Sequence, residues 1–294
     1  MTVQRTTQQS GIDRVSLDLS NNLRRLQESQ DRLATGKQIT RLSDDPTGVG
    51  SAVQLRSSLG RAAQYQRNVE DGLSRLNEAD SSLQRIVDNL SRVKDLATQA
   101  NSGAISEGER ASVAAEMTQL RDQIIATANA SYLGQPVFGG TASSGRAYDA
   151  SGAYVGDDSS IERNVAPGLR VAVNLNGSSV FSTNGVSLFD SLNALIASVT
   201  TDPSTIGDNA LVIDGHLSTI QQGLAEVGGR VNRLEALKTH TDDSIASMQK
   251  NLSSIEDIDL EKAMLDVKTR EVAYQAALSA TARVIQPSLV DFLK

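Results

Sequence analysis

Histidine and acidic side chains are the first residues in this sequence that could carry out chemistry. The two histidines, His216 and His240, lie in predicted helices, and neither has a second histidine or a carboxylate at a spacing that would build a metal site. Cysteine is absent, which excludes disulfides and thiolate nucleophiles. We therefore interpret both histidines as packing or surface residues, and we expect no metal and no cofactor.

Two adjacent acidic pairs and two glycine pairs are the remaining candidates for a binding site. Asp44-Asp45 and Asp157-Asp158 could bind a cation, but the first pair fits the start of a helix and the second fits a solvated loop. Gly139-Gly140 and Gly228-Gly229 lack the flanking residues of a phosphate-binding loop. No nucleophile has a base at a recognisable spacing, so the sequence predicts a protein that is not an enzyme.

Composition narrows the class of protein and of partner. Apolar residues make up 39% of the 294 residues and aromatic residues only 3%, which suits helical seams better than a wide globular core. The net charge of -7 argues against a nucleic-acid partner, which would require a basic face. No apolar run approaches the roughly 18 residues of a membrane span, and no Sec-type signal opens the chain. A cytosolic protein, or one exported without a cleaved signal peptide, both fit these facts.

Two heptad tracts are the elements that must organise the fold. The first tract has apolar residues on alternating four- and three-residue steps, with Asp80 and Lys94 as polar exceptions, and contains Val69, Leu73, Leu76, Leu83, Val87, Leu90 and Ala97. The second has Lys238 and Thr241 as polar exceptions, and contains Leu224, Val227, Val231, Leu234, Ile245, Met248, Leu252 and Ile255. Such narrow stripes are stable only when another helix covers them. We expect the two tracts to cover each other in a long antiparallel, coiled-coil-like helical rod.

Both ends of the chain carry further apolar repeats. Near the start, the repeat has a spacing of seven and comprises Ile12, Leu19, Leu26 and Leu33. Near the end, the apolar positions are Val267, Tyr274, Leu278, Ile285, Leu289, Phe292 and Leu293. We interpret these two stripes as partners for each other and as the assembly surface of the protein.

Local signals mark where helices begin and end. Gly36 closes the first helix, and Asp45 is an N-cap followed by Pro46 at the first helical position of the next. Ser106 and Glu109 have the spacing of a capping box, and the helix that they open is expected to end near Asn129.

A β-rich insert is predicted between the helical halves. Residues 171–181 (VAVNLNGSSVF) indicate a hairpin that turns at Asn176-Gly177, and residues 148–155 indicate a weaker hairpin. Helix resumes over residues 189–199 and again from about Gly207. We divide the chain into an N-terminal assembly helix (1–44), half of the helical rod (45–140), the insert (141–203), the second half of the rod (204–257) and a C-terminal assembly helix (258–294). Since the insert is separate from the heptad seam, we expect it to project and to be partly dispensable.

Several motifs in order resemble the bacterial flagellin family. The N-terminal ones are residues 33–39 (LATGKQI) and 43–48 (SDDPTG). The C-terminal ones are residues 228–235 (GGRVNRLE), 254–259 (SIEDID), 275–278 (QAAL) and 288–294 (SLVDFLK). Three details are similar to the hook-associated, junction-forming members of the family: Asp45-Pro46 in place of Asp-Ala, residues 137–141 (VFGGT), and the ending 289–293 (LVDFL). Residues 1–5 (MTVQR) depart from the family's usual start.

The resemblance implies a structural role in the bacterial flagellum. It implies self-association in a ring between hook and filament, with a neighbouring hook-associated protein and flagellin as partners. It also implies an extracellular location after export without a cleaved signal peptide, and a cytoplasmic export chaperone on the C-terminal helix. Two alternatives stay open: a short flagellin that polymerises into the filament itself, and a cytosolic coiled-coil adaptor. The adaptor does not account for the motifs outside the heptads, such as residues 43–48.

Overall fold

The computed structural model describes residues 2–41, 43–102, 105–142 and 145–285, and within them the chain is mainly helical. The helices are α1 (Thr2–Thr35), α2 (Pro46–Asn101), α3 (Glu107–Ala128), α4 (Gly177–Val180), α5 (Leu188–Thr201), α6 (Ile206–Glu256) and α7 (Leu260–Ile285), with a 3-10 turn at Pro203–Thr205. The strands are β1 (Ser131–Tyr132), β2 (Gln135–Pro136), β3 (Glu162–Ala166), β4 (Leu169–Ala172), β5 (Ser182–Thr183) and β6 (Val186–Ser187). The predicted mainly α fold with a small β-rich region is confirmed.

The predicted helix boundaries are confirmed where capping residues mark them. Gly36, with φ of +68°, follows the end of α1. The Asp45 side chain accepts hydrogen bonds from the backbone N–H groups of Thr47 and Gly48, which caps α2. Ser106 and Glu109 form the capping box of α3. These signals are readable in the sequence because each acts within three or four residues.

The elements divide into two compact units, Arg61–Ser244 and Met1–Gly60 with Ile245–Lys294, and α2 and α6 contribute to both. In the first unit these two helices run antiparallel. The pairs Gln66 with Asp242, Glu70 with Lys238, and Lys94 with Asp214 connect them. Between the first pair and the last, the partner on α2 advances from 66 to 94 and the partner on α6 retreats from 242 to 214, which is 28 residues in each case. The two helices therefore keep the same register over four heptads, as expected if the two heptad tracts cover each other.

Burial along the predicted seam follows the heptad pattern most closely in this unit. Val69, Leu76, Leu83, Leu90 and Leu234 are buried, and Leu73, Val87 and Val231 are half-buried against the same core. Met248 and Leu252, in the other unit, are half-buried. A second side of α2 is also buried, at Ala79, Ile86 and Val93, and an ion pair between Arg92 and Glu116 links this helix to α3. The stripe on α2 is therefore wider than the heptad pattern predicts.

The predicted hairpin at residues 171–181 is wrong. Strand β4 pairs instead with β3, with Glu162 opposite Ala172, and the chain turns between them at Pro167-Gly168. Asn176 and Gly177 begin the short helix α4, and the Asn176 side chain donates to the carbonyl of Asp158 (2.7 Å). Because this hydrogen bond holds its side chain, Asn176 does not form the predicted tight turn. The weaker hairpin is present as a single antiparallel bridge between Tyr148 and Tyr154.

The insert packs against the helices, so the expectation that it is separate from the seam is also wrong. Arg163 pairs with Asp71 of α2 (2.8 Å), and Arg230 of α6 donates to the carbonyl of Asn174 (2.6 Å). Just before the insert, the carbonyl of Pro136 accepts from buried Arg75 of α2 (3.0 Å). The hydrophobic residues of the insert and of the seam form one continuous core. The few aromatic residues concentrate in this region, where Phe138, Tyr148, Tyr154, Phe181 and Phe189 pack with ring centroids 4.8 to 6.3 Å apart.

Candidate assembly surface

The helices α1 and α7 pack antiparallel in the unit that contains both chain ends. Their facing positions follow the spacing of a coiled-coil seam, and the Ser29 hydroxyl donates to Asp266 across it (2.8 Å). On α1 the facing side chains are half-buried or buried and comprise Val15, Leu19, Asn22, Leu26, Ser29 and Leu33. On α7 they are half-buried and comprise Ala263, Val267, Arg270, Tyr274, Ala277 and Thr281. Each helix therefore covers one stripe of the other, but most of these side chains keep part of their surface in contact with solvent.

Several apolar side chains of both helices remain exposed to solvent in this pair. Leu265 is 69% exposed and Val272, seven residues later on the same line, is 56% exposed. Leu17, Leu23, Leu260 and Met264 are also exposed. Burying a leucine or valine side chain stabilises a protein by about 1.5–3 kcal/mol, so this surface is suited to contact with further chains.

The predicted assembly residues occupy different positions in this pair. Leu19, Leu26, Leu33, Val267 and Tyr274 face the partner helix. Leu278 lies outside the seam and is 42% exposed. Ile12 and Ile285 belong to α1 and α7, but their side chains are not among those that the structure describes. Leu289, Phe292 and Leu293 lie outside the described residues.

Two short connectors, residues 36–41 with 43–45 after α1 and residues 257–259 after α6, are joined to each other; we call them the paired connector. The backbone N–H of Gln38 donates to the carbonyl of Glu256 (2.7 Å), and that of Ile258 donates to the carbonyl of Gly36 (3.1 Å). Lys37 and Asp257 form an antiparallel bridge and an ion pair. Both helix breaks are therefore fixed by the same small set of bonds.

Short-range capping holds each connector in shape. The Asp44 carboxylate accepts from the backbone N–H groups of Arg41 (2.9 Å) and Thr40 (3.1 Å), and these bonds lower the pKa of Asp44. Asp259 caps α7 by accepting from the backbone N–H of Lys262, which lowers the pKa of Asp259. A side chain at Gly48 would meet Asp45 and Ile39, so this glycine allows the connector to pack on the start of α2.

Ionic contacts complete the paired connector. Hydrogen bonding from Lys37 lowers the pKa of Asp257, and the same bond raises the pKa of Lys37. The buried carboxylate of Glu256 lies 2.8 Å from Arg56 Nη2 and 3.5 Å from Lys37 Nζ. Sequence reasoning missed this cluster because Arg56 and Glu256 are 200 residues apart. It also missed the line formed by Leu265 and Val272, although their spacing of seven is visible in the sequence.

The residues first considered for chemistry have packing and capping roles. His216 is fully buried and contacts the hydroxyl groups of Thr183 and Ser191, whereas His240 is exposed. Asp157 is a half-buried anchor and not only part of a solvated loop, because it accepts from the backbone N–H and the hydroxyl of Thr141. Among the described residues, no group of three or more histidine or acidic side chains could hold a metal ion. None of the helices in the described ranges has the length and apolarity of a membrane span.

Comparison with known families identifies this arrangement. A model of the bacterial flagellin N-terminal helical region matches residues 13–143, and a model of the bacterial flagellin C-terminal helical region matches residues 211–293. This chain belongs to the bacterial flagellin family. It is therefore a structural component of the bacterial flagellum and not an enzyme.

Individual flagellin-family relatives resemble the chain over most of its length. The flagellar hook-associated protein 3 of Escherichia coli (strain K12) is 23% identical over an alignment 276 positions long, gaps included, which covers 85% of this chain and 87% of the relative. A flagellin of Halalkalibacterium halodurans is 24% identical over 266 residues, 90% of each chain. The solved structure of a protein described as a flagellar hook-associated protein from Vibrio parahaemolyticus shares the fold, with a TM-score of 0.68 and 23% identity over 73% of this chain and 100% of that one.

The flagellin signature motifs now have a physical interpretation. Residues 33–39 and 43–48 form the end of α1, its connector and the cap of α2. Residues 254–259 end α6 and form the other connector. The two signatures, about 200 residues apart in sequence, therefore meet in the paired connector.

Proposed function

We propose that this flagellar protein forms the junction between hook and filament, as a protein like hook-associated protein 3. The observation that carries the proposal is the α1/α7 pair, which is helical and covers one stripe of each helix while leaving Leu265, Val272 and Leu278 exposed. An apolar surface of this kind suits a subunit that is completed by its neighbours. The relative named hook-associated protein 3 and the motifs at residues 45–46 and 137–141 favour the junction over the filament.

The proposed partners follow from this role. The chain self-associates in a ring, with a neighbouring hook-associated protein on one side and flagellin on the other. Residues 1–44 and 258–294 are the inner assembly helices, residues 45–140 and 204–257 form the helical rod, and residues 141–203 form the insert. The proposed assembly surface comprises Ile12, Leu19, Leu26, Leu33, Val267, Tyr274, Leu278, Ile285, Leu289, Phe292 and Leu293. Neither a nucleic acid nor a membrane is a proposed partner.

Export and storage form the second part of the proposal. The protein acts outside the cell and is exported without a cleaved signal peptide. Before export, a cytoplasmic chaperone covers the C-terminal helix, because an exposed apolar stripe on α7 would otherwise favour aggregation.

A short flagellin is the alternative function, and the similarity to the Halalkalibacterium flagellin over 90% of both chains favours it. Electron microscopy of cells that lack this gene separates the two functions. The junction function predicts hooks without filaments and flagellin released into the medium. Intact filaments made of the remaining flagellin would contradict it.

A further inference from the structure

Among the residues that the structure describes, Glu256 is the only acidic residue that is buried. It is the last residue of α6, and its side chain is only 6% exposed. The carboxylate binds Arg56 of α2 (2.8 Å) and Lys37 of the first connector (3.5 Å). Its backbone carbonyl accepts from the N–H of Gln38 (2.7 Å). This one residue of α6 therefore contacts two other segments of the chain, α2 and the first connector.

The surroundings of Glu256 make its charge expensive to leave unpaired. A cavity of about 240 Å³ beside the Arg56–Glu256 pair is lined by Ile39, Val49 and the buried Ala52, and also by Thr40 and Arg41. The carboxylate of Glu256 is removed from water and needs opposite charge or hydrogen bonds, and the side chains of Arg56 and Lys37 supply them while staying 60% and 43% exposed themselves. Lys37 has a second partner in Asp257, whereas Arg56 has Glu256 as its nearest carboxylate. The Arg56–Glu256 contact is therefore the one to test.

We propose that Glu256 is a positioning residue, which fixes the paired connector by binding Arg56 and Lys37 together and so holds α1 and α7 in place for assembly. The proposal rests on the proposed function only in treating the α1/α7 pair as the assembly element. It assigns a physical role to the motif at residues 254–259, in which the preceding helix ends and the connector begins.

Hydrogen exchange of the full-length monomer tests the positioning role directly. The variants are Glu256→Gln, Arg56→Gln and the double variant, with Glu261→Gln as control because Glu261 is exposed on α7 only five residues away. We expect each single variant to raise exchange in the paired connector and the residues beside it (residues 36–41 and 256–262) at least about tenfold, with no change in residues 61–244. The double variant should raise it by less than the product of the two single effects, because the two side chains interact.

Several results would overturn the proposal. In the wild type, exchange in the connector would be as fast as in a free peptide, or Glu256→Gln would raise exchange no more than Glu261→Gln does. In the double variant, the rise in exchange would equal the product of the two single effects. Exchange in residues 61–244 would rise as much as exchange in the connector.

Assembly is a second readout that a purely local stabilising role would not change. Cells that lack the gene are supplied with wild type, Glu256→Gln or Glu261→Gln at equal intracellular amounts, and filaments are counted. We expect wild type and Glu261→Gln to restore filaments and Glu256→Gln to fail. Full restoration by Glu256→Gln overturns the positioning role. Failure of the wild-type chain itself would reject the proposed function, while the exchange data would still decide whether Glu256 fixes the connector.

Discussion

Leu234 of α6 packs so closely on Gly72 of α2 that a β-carbon added to the glycine would lie 3.2 Å from the leucine Cδ1 atom. The same β-carbon would lie 2.8 Å from Cγ1 of Val173, the residue that follows β4. Both Leu234 and Val173 are fully buried. The two long helices and the insert therefore meet at a point where only glycine fits, which explains a helix-weakening residue in the middle of α2.

Gly72→Ala should lower stability, although alanine favours helix. The added methyl group would lie too close to Val173 and Leu234. We therefore expect a net loss of about 1–3 kcal/mol in the free energy of unfolding. Gly60→Ala is the matched control, because a β-carbon at Gly60 of α2 has no atom within 4 Å. It should raise stability by up to about 1 kcal/mol. Urea denaturation followed by circular dichroism measures both, and a stabilising Gly72→Ala would disprove the close approach.

Leu234→Ala should destabilise the protein by about 2–5 kcal/mol, because it leaves a cavity at a fully buried position. Glu235→Ala should change the free energy of unfolding little, since the neighbouring Glu235 is exposed on α6. The same denaturation experiment compares them. Equal effects of the two substitutions would show that the assignment of buried and exposed positions on α6 is wrong.

Removal of the insert should damage the helical core. Replacement of residues 141–203 by a short Gly-Ser bridge would remove Val173, Val180 and Phe181, which share one buried core with side chains of α2 and α6. We expect a chain without cooperative thermal unfolding. The control inserts the same bridge at Gly185, where the turn between β5 and β6 is exposed. Cooperative unfolding of the deletion variant at the wild-type temperature would show that the insert is dispensable.

His216 should make stability sensitive to mild acid. Each ring nitrogen lies within hydrogen-bonding distance of a hydroxyl group, Nε2 of Ser191 (2.9 Å) and Nδ1 of Thr183 (3.1 Å). Burial lowers the pKa of His216 below its ordinary value of 6.5. The neutral ring is thus the form that fits this site.

The sign of the pH effect follows from this lowered pKa. Below pH 6.5 the unfolded chain binds a proton that the folded chain does not, so stability is complete above that pH and falls as the pH drops toward the folded pKa. The loss is at most about 1.4 kcal/mol per pH unit. Urea denaturation between pH 7.5 and 5.5 should show this slope in wild type and His240→Gln but a smaller slope in His216→Gln. Equal slopes in all three chains would rule out the histidine as its source.

Leu278→Asp should block assembly with little effect on the melting of residues 61–244. Leu278 lies outside the α1/α7 seam, so the new charge removes apolar contact surface without entering a packed core. Ser279→Asp, at the next exposed position of α7, is the control. Filament growth in cells that lack the gene, together with thermal unfolding of the purified chains, measures both effects. Normal filament growth with Leu278→Asp would remove this residue from the assembly surface.

The features that could be predicted from the sequence are those that depend on interactions between residues close together in the chain. The caps at Asp45 and Ser106 act within a few residues, and the heptads of α2 and α6 repeat over many turns, so both are visible without a structure. The seam of α7 was harder to recognise because it continues from Tyr274 through Ala277 and Thr281, which are small or polar, whereas the more apolar Leu278 turns away.

Long-range pairing accounts for the errors. Asn176-Gly177 is a strong local turn signal, but Asn176 hydrogen-bonds to Asp158, and Val173 pairs with the carbonyl of Ile161 (2.8 Å). Pairing with β3 therefore prevails over the local signal. The Arg56–Glu256 contact likewise joins residues that no local pattern relates.

The position of this protein within an intact flagellum tests the junction function most directly. An epitope tag inserted at the exposed turn Asn184-Gly185 would mark the chain for immunogold electron microscopy. The junction function predicts label at a single position between hook and filament. Label along the whole filament would show that the chain is a flagellin and would contradict the junction.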